Sequence, residues 1–390
     1  MNWRYRHTVL ALCTLAFFGT MVARLVISPV VPDITAQFDV SNGTIGIALS
    51  GMWAAYALSQ FPSGILGDRF GERTVILAAV GGTAITSLGL TLAPSFPLFA
   101  VSTVLLGGAA GLHYSVATTF LTRQFEDIGR AIGVHVAGGP LAGLLAPTAA
   151  AVVGARYGWR TAIALGVVVA VPVFAAFALA VRPTEPRRPD QPLRERLEPG
   201  AIRELLSRPE IAYTTALAVM GAFTWQATAS FLPTFLEVYH GLSGTTAGLL
   251  FSVYFVVHGA TQPVLGSVSD RYSREPVIVG TMLAGIVGFG ALVLGSGLPV
   301  VVLGVGFVGL AMSWGAPLQS RFMDVLSDAE RGAGFGLVRS TYMIVGATGS
   351  VVVGVVSDLL GWAAAFGLLS VVMGLGFATL LTNRVLDLGY

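Results

Sequence analysis

The sequence predicts an all-α polytopic membrane protein, with twelve transmembrane helices arranged as two pseudo-symmetric six-helix bundles. Of its 390 residues, 54% are hydrophobic and only 11% are charged, and the mean hydropathy is +0.78. A soluble globular chain carries roughly 25% charged residues, so this composition leaves too little polar surface for a soluble fold. Apolar segments of about 20 residues, the length that spans a hydrocarbon core of about 30 Å, recur along the whole chain.

Twelve such segments are predicted to be helices, because an open strand cannot satisfy its backbone polar groups in lipid. In chain order they cover 8–31, 44–66, 74–93, 98–121, 131–154, 160–181, 212–235, 246–268, 276–295, 299–321, 333–356 and 361–382. The first segment follows a basic start, as a secretory signal does. Its apolar run is longer than that of a signal and no polar mature domain follows, which favours an uncleaved spanning helix.

The arginines predict the topology, since they supply all 22 basic residues. With the N-terminus inside, 18 arginines fall on the cytoplasmic side, two fall outside (Arg156 and Arg160) and two lie within spans (Arg24 and Arg339). Positive residues concentrate in the cytoplasmic loops of membrane proteins. We therefore expect a multi-pass protein of the plasma (cell) membrane with both termini in the cytoplasm.

One long polar stretch, 182–210, divides the chain. It is rich in proline and in charges of both signs, which is typical of a connector in water. We predict an N-terminal six-helix bundle over 1–181, a cytoplasmic linker over 182–210 with one short surface helix near 199–207, and a C-terminal six-helix bundle over 211–390.

The two halves repeat each other at a constant offset of 202 residues. The identical pairs are Ser41/Ser243, Thr44/Thr246, Gly46/Gly248, Ser50/Ser252, Gln60/Gln262, Gly64/Gly266, Asp68/Asp270 and Arg69/Arg271. Parallel six-helix repeats are an architecture for alternating access, in which the substrate binds between the repeats near the membrane midplane. The repeat therefore predicts a transporter.

A motif in the loop after the second predicted helix carries a resemblance to a known family. The residues of this motif are Gly64, Asp68, Arg69, Gly71 and Arg73, and its second copy keeps Gly266, Asp270 and Arg271 but has Ser273 where glycine is expected. In this position they resemble the signature loop of the major facilitator superfamily, and the resemblance in topology covers essentially the whole chain. It implies the major facilitator fold.

The resemblance also implies that these loop residues control conformational change. Gly64 is expected to let helices approach closely. Asp68 is expected to accept bonds from a neighbouring helix N-terminus, as a cytoplasmic latch that breaks on inward opening. The alternative is that the charges only anchor the loops.

Arg24 lies inside the first predicted helix and requires a partner. An arginine at the bilayer centre costs about 2.5–3.5 kcal/mol on insertion scales. Phe17, Thr20, Arg24 and Ser28 share one helical face, which favours a stripe that lines a cavity over contact with lipid. None of the 20 acidic residues lies mid-span, so the natural counter-ion is a substrate anion.

The spacing of Arg24 and Pro32, followed by the second helix, resembles the organic-anion branches of the superfamily. These are the organophosphate:phosphate antiporters and the anion:cation symporters, in which a first-helix arginine binds the substrate anion. The antiporters have a binding tyrosine where this chain has Tyr56, a lysine where it has Gln60, and a second arginine where it has Trp225. Trp225 in place of the second arginine favours a singly charged or less polar anion over a sugar phosphate. The fourth-helix acidic residue of the symporters is missing, which places proton coupling through a carboxylate in doubt.

Other polar residues in the spans are weaker candidates. Tyr56 and Gln60 are matched in the second half by His258 and Gln262, which favours a shared cavity wall over packing. His113, Tyr114 and His135 are candidates to bond substrate or carry a proton, against ordinary structural bonds. The substrate-binding candidates are Arg24, Tyr56, Gln60, His113, Trp225, Gln226, His258 and Gln262, and the gating candidates are Gly64, Asp68, Arg69, Gly71, Arg73, Gly266, Asp270, Arg271 and Arg339.

The leading hypothesis is a secondary active transporter, a symporter or antiporter, that moves a small organic or inorganic anion by alternating access with Arg24 as the anion site. The alternative within transport is efflux of neutral or amphipathic compounds, with Arg24 structural. An enzyme is disfavoured because the sequence offers no metal-ligand cluster, nucleotide-binding loop or nucleophile–base set. We expect a monomer without cofactor, metal or nucleic acid. The expected partners are a solute, the lipid bilayer, and a coupling proton or exchanged anion.

Overall fold

The computed structural model describes residues 5–189, 199–327 and 333–389. The predicted linker, 182–210, falls partly on 190–198, outside these ranges. The helices are α1 (Tyr5–Leu25), α2 (Val31–Phe38), α3 (Asn42–Phe70), α4 (Glu72–Leu92), α5 (Phe96–Gly111), α6 (His113–Thr122), α7 (Ile128–Val136), α8 (Gly138–Tyr157), α9 (Trp159–Ala180), α10 (Pro199–Ser207), α11 (Pro209–Val238), α12 (Gly244–Arg271), α13 (Arg274–Leu294), α14 (Leu298–Ala311), α15 (Gly315–Val325), α16 (Ala333–Leu360) and α17 (Trp362–Val385).

Ten helical segments within the described ranges are long and apolar enough to cross a membrane. The two remaining predicted spans, 44–66 and 212–235, lie in α3 and α11, which have 29 and 30 residues. The short helix predicted in the linker is α10. The predicted fold class, an all-α polytopic membrane protein, is confirmed.

Several spans consist of two helices. The first span, Tyr5–Phe38, joins α1 to α2 through a 3₁₀ turn at Ser28–Val30. Pro29 and Pro32 lie in this turn and in the first turn of α2, where a missing backbone N–H is tolerated. Arg24 therefore stands in the last turn of α1, where the helix dipole favours a positive charge.

The chain forms two compact units, each with its own core. Unit 1 comprises Met1–Val40 and Gly51–Leu197, and unit 2 comprises Ser41–Ser50 and Glu198–Tyr390. Buried aliphatic and aromatic side chains of α1, α4, α6 and α9 fill the core of unit 1. Stacked rings contribute to the core of unit 2, where Phe235 and Phe366 have ring centroids 3.8 Å apart.

The beginning of α3 belongs to unit 2. The Asp358 carboxylate in α16 accepts hydrogen bonds from the backbone N–H groups of Asn42 at 3.0 Å and Gly43 at 2.7 Å. Ser50 accepts one from the N–H of Val351 at 2.9 Å. A carboxylate at a helix N-terminus satisfies backbone donors that have no partner inside the helix. The first turns of α3 are thus fixed to α16.

Glycines let the long helices touch at equivalent places in both units. A Cβ added at Gly107 of α5 would lie 2.0 Å from the Met52 carbonyl oxygen of α3, and one at Gly111 would lie 2.4 Å from that of Tyr56. In unit 2, a Cβ at Gly309 would lie 2.8 Å from the Tyr254 carbonyl oxygen. Small residues allow such close backbone contact in membrane bundles.

Candidate functional site

Arg24 is buried against aromatic rings of the second span. Its side chain is only 2% exposed. Its guanidinium carbon lies 4.0 Å from the ring centroid of Tyr56 and 5.3 Å from that of Trp53, within the range of cation–π attraction. The sequence analysis did not single out Trp53, although its position three residues before Tyr56 puts both rings on one face of α3.

Two hydrogen bonds of Arg24 stay within its own helix, and its guanidinium also interacts with the Tyr56 hydroxyl of α3. Its Nε donates to the Thr20 carbonyl oxygen at 3.1 Å, and an Nη donates to the Met21 sulfur at 2.8 Å. Among the described residues, none of these partners is a carboxylate. Ring faces and neutral acceptors lower the cost of burying a guanidinium but do not cancel its charge. The surroundings of Arg24 therefore leave a net positive charge inside unit 1.

A cluster of aromatic and imidazole rings lies beside α1, and we call Phe17, His113, Tyr114 and His135 the histidine cluster. The Phe17 ring centroid lies 5.4 Å from that of His135, 5.5 Å from that of Tyr114 and 6.2 Å from that of His113. Phe17 and Arg24 are seven residues apart on one face of α1, about 10 Å along the helix axis. Arg24 and the histidine cluster thus lie along the same side of α1.

Two of the sequence-predicted residues, Arg24 and Tyr56, are in contact in unit 1, and His113 lies about 10 Å further along the same side of α1. Gln60 lies one turn from Tyr56 on α3 and is 8% exposed. His135, named in the sequence only as a proton carrier or substrate ligand, joins them from α7. Tertiary structure supplies this grouping, since the residues come from four helices.

The candidates from the second half lie in unit 2. Gln226 is buried and its side-chain amide donates to the Met343 carbonyl oxygen at 3.0 Å, which ties α11 to α16. The His258 ring centroid lies 6.1 Å from that of Tyr254. Trp225 and Gln262 are half-buried. The bond of Gln226 is typical of helix packing, and its predicted role in substrate binding stays a prediction.

The loop between α3 and α4 is fixed to the end of α9. Gly71 has a φ of +83°, and a Cβ there would lie 2.3 Å from the Thr184 carbonyl oxygen, so glycine is required. The Arg73 guanidinium donates to the carbonyl oxygens of Ala178 at 2.6 Å and Val181 at 2.7 Å. Arg73 thereby caps α9, whose last carbonyls have no partner inside the helix.

Each unit has an ion-pair cluster at the equivalent helix ends, and the acidic and basic residues exchange positions between the two clusters. In unit 1, Arg123 pairs with Glu72 and lies 3.9 Å from the Asp68 carboxylate. In unit 2, Arg274 pairs with Asp270 and with Asp324, the latter at 3.0 Å. Arg274 stands 202 residues after Glu72, so the acidic position of one repeat is the basic position of the other.

Gly64 has no close helix neighbour in the described part of the structure, and its gating role stays a prediction. Within the described residues, a Cβ at Gly64 would meet nothing within 4 Å, and one at Gly266 would meet only the Ala316 Cβ at 3.4 Å. The close approaches lie instead at Gly107 and Gly111, which face backbone carbonyls. The family motif predicted a close helix contact at Gly64, but the place where a small residue is needed depends on where two helices cross, here α3 and α5.

The remaining gating candidates have local surroundings. Arg69 and Arg271 lie over the rings of Phe70 and Tyr272, with the guanidinium carbon 5.4 Å and 5.7 Å from the ring centroids. Arg339 is half-buried in α16. The Asp68 carboxylate faces Arg123, and its latch role stays a prediction. Over the described ranges, no group of three or more His, Cys, Asp or Glu residues is placed to hold a metal ion.

The sequence profile described as Major Facilitator Superfamily matches residues 13–243 and 219–387. The chain is 29% identical over 178 residues to an uncharacterized MFS-type transporter, Rv1250, of Mycobacterium tuberculosis, covering 45% of this chain and 31% of that protein. It is 26% identical over 353 residues to transcription regulatory protein OpdE of Pseudomonas aeruginosa, covering 87% and 84%. It is 23% identical over 289 residues to a nitrite extrusion protein of Bacillus subtilis, covering 72% and 71%.

Among solved structures, the fold is similar to that of a bacterial homologue of the human lysosomal transporter Spinster. That structure, inward-facing and unoccupied, superposes with a TM-score of 0.83 at 18% identity and covers 98% of both chains. At this identity the likeness shows the fold and nothing further.

Proposed function

The chain belongs to the major facilitator superfamily, and from that premise we propose that it transports a small, singly charged anion bound by Arg24. The family makes it a membrane transporter of small solutes and not an enzyme. The single observation that carries the anion proposal is the burial of Arg24 beside neutral partners only, among the residues described. An anion that enters this site would form charge-assisted hydrogen bonds with the guanidinium, about twice as strong as neutral ones.

Two further observations support a small anion of single charge. Trp225 stands where the resemblance expected a second arginine, so the second charge of the phosphate antiporters is absent at that position. The nitrite extrusion protein of Bacillus subtilis is named for an anion of this size and charge. Nitrate, nitrite and small monocarboxylates form the substrate class that we propose.

The transport cycle is proposed to follow alternating access of the two repeats. In this proposal the protein lies in the plasma membrane with both termini in the cytoplasm, and Asp68 and Asp270 belong to loops that change partners during the cycle. The cytoplasmic position rests on the distribution of the arginines. Efflux of neutral or amphipathic compounds is the second candidate, and the rings of Trp53 and Tyr56 beside Arg24 favour it.

Counterflow in proteoliposomes tests the proposal. Vesicles loaded with an unlabelled solute are diluted into the labelled solute, and the panel contains nitrate, lactate, succinate, glucose 6-phosphate and an uncharged sugar. We expect wild-type counterflow of nitrate or lactate, and little of the doubly charged or neutral solutes. Counterflow of the uncharged sugar without that of any anion would contradict the proposal and favour the second candidate.

Changes at Tyr56 test how Arg24 is held. Tyr56→Leu removes the ring that lies 4.0 Å from the guanidinium carbon and is expected to raise the half-saturation concentration for the anion about tenfold, because a desolvated cation–π contact contributes up to about 2 kcal/mol. Tyr56→Phe keeps the ring face and is expected to stay within about threefold of wild type. The measurement is the concentration dependence of counterflow. Equal effects of both substitutions would instead assign the role to the hydroxyl group.

A further inference from the structure

Two buried histidines of the histidine cluster face each other beside the Arg24 site. His113 and His135 are fully buried, and their ring centroids lie 5.5 Å apart. The His113 Nε2 lies 3.2 Å from the Cys13 carbonyl oxygen, an acceptor. Nε2 therefore carries the hydrogen in the neutral ring, and Nδ1 carries a lone pair.

The other ring nitrogens of the pair make no hydrogen bond of normal geometry among the described residues, although the His135 ring also faces the Cys13 carbonyl oxygen. These nitrogens are Nδ1 of His113 and both ring nitrogens of His135. The large majority of buried polar atoms have a partner, and an exception requires an explanation. Two neighbouring imidazoles with unused nitrogens have the composition of a proton site, because they can share one added proton directly or through a water molecule.

The charged and titratable groups around the pair lie on α1, α3 and α6. They are Cys13 and Arg24 of α1, Tyr56 of α3 and Tyr114 of α6. Tyr56 contacts Arg24, whereas the Tyr114 ring centroid is 6.0 Å from that of His135. Arg24 stands about 10 Å along the α1 axis from Phe17, whose ring lies beside both imidazoles. Among the described residues, these surroundings contain one positive charge and no carboxylate.

We propose that the His113–His135 pair binds one proton together with the substrate anion, which makes the protein an anion–proton symporter. This inference rests on the proposed function and names its coupling ion. With the anion site empty, Arg24 repels a second positive charge on the imidazoles. An anion on Arg24 offsets that charge, so proton and anion each raise the affinity for the other. Net transfer of the pair carries no charge across the membrane.

Calorimetry of anion binding measures the coupled proton directly. The purified full-length protein is titrated with nitrate and, separately, with lactate, in buffers of different ionisation enthalpy, which reports protons taken up per anion bound. We expect about one proton per anion in the wild type. In His135→Asn and in His113→Asn the uptake per bound anion is expected to fall close to zero. The matched control His240→Asn lies in unit 2, where its ring bonds the Leu292 carbonyl oxygen, and should equal wild type.

A second readout follows from the balance of the transported species. Across a pH difference of one unit, alkaline inside, symport of one proton with one anion accumulates nitrate about tenfold at equilibrium, since one pH unit is a tenfold proton ratio. Wild-type vesicles are expected to approach this ratio, and His135→Asn vesicles to show no accumulation. Thermal unfolding, followed by labelling of the buried thiol of Cys13, establishes whether each variant is folded.

The calorimetry and the vesicle measurements together separate a failure of the symport inference from a failure of the proposed function. Proton uptake that persists in both histidine variants, or anion binding by the wild type without proton uptake, overturns the inference and leaves the proposed function standing. Failure of the wild type to bind either probe contradicts the proposed function as well. Should one variant fail to fold, the other variant and the wild-type buffer comparison still give the proton count.

Discussion

Arg24→Gln is expected to lower anion counterflow about 100-fold or more. The substitution keeps a polar, shorter side chain but removes the positive charge and the paired N–H donors of the guanidinium. Hydrogen bonds to charged groups contribute about 1.5–3 kcal/mol each, and the loss of two such bonds exceeds the roughly 2.7 kcal/mol that corresponds to a 100-fold change in affinity. The measurement is initial counterflow of nitrate or lactate at substrate concentrations below half-saturation.

Arg24→Lys is the matched variant for this prediction. Lysine keeps the charge but presents an ammonium in place of a planar fork, so it is expected to retain part of the activity. The order of activity should be wild type, Arg24→Lys, Arg24→Gln. Full counterflow by a folded Arg24→Gln protein would assign Arg24 to helix packing and remove the anion site from unit 1.

Gly107→Ala is expected to destabilise unit 1 strongly. The added Cβ would lie 2.0 Å from the Met52 carbonyl oxygen, which is backbone and can move only with α3. Overpacking of this kind typically costs about 1–3 kcal/mol, and the shift would also displace Trp53 beside Arg24. We therefore expect both a lower unfolding temperature and weaker anion binding.

The neighbouring Gly108→Ala is the control for the same change in the same helix. A Cβ there would lie 3.7 Å from the Ser59 hydroxyl, an ordinary contact. Alanine is also the better helix former by about 1 kcal/mol, so this variant should be as stable as wild type or slightly more so. Labelling of Cys13, the only cysteine and a buried one, with a thiol-reactive dye follows unfolding of unit 1 in detergent. Equal unfolding temperatures for both variants would contradict the close crossing of α3 and α5.

The sequence predicted the spans because long apolar segments in a chain with few charges have one physical solution in a membrane. The divisions within spans were not predicted, such as the change from α5 to α6 at Leu112, since a local turn leaves the hydropathy unchanged. Gly107 and Gly111, four residues apart, carried a local signal for a close crossing that the sequence analysis did not use. The family motif pointed to Gly64 instead, where the structure shows open space.

The site was predictable only in part. Arg24 stood out because a charge in an apolar helix is costly, and Tyr56 followed from the resemblance. Trp53 did not, because an aromatic residue in an apolar span has the composition of ordinary packing. His113 and His135 were visible singly, but their 5.5 Å separation depends on how α6 and α7 fold back on α1. No periodicity within one helix contains that information.

The exchanged acidic and basic positions of the two ion-pair clusters have a consequence for how a chain built from two similar repeats assembles. Equivalent helices of the two repeats lie 202 residues apart and resemble each other in sequence, so each presents a similar surface to the neighbours of the other. Exchange of equivalent partners would bring Arg123 against Arg274 and Glu72 against Asp324, which are pairs of like charge. Opposite charges meet when the helices of one repeat pack together, as in the pairs Arg123–Glu72 and Arg274–Asp324. The exchanged positions of acid and base therefore favour packing of each helix within its own bundle.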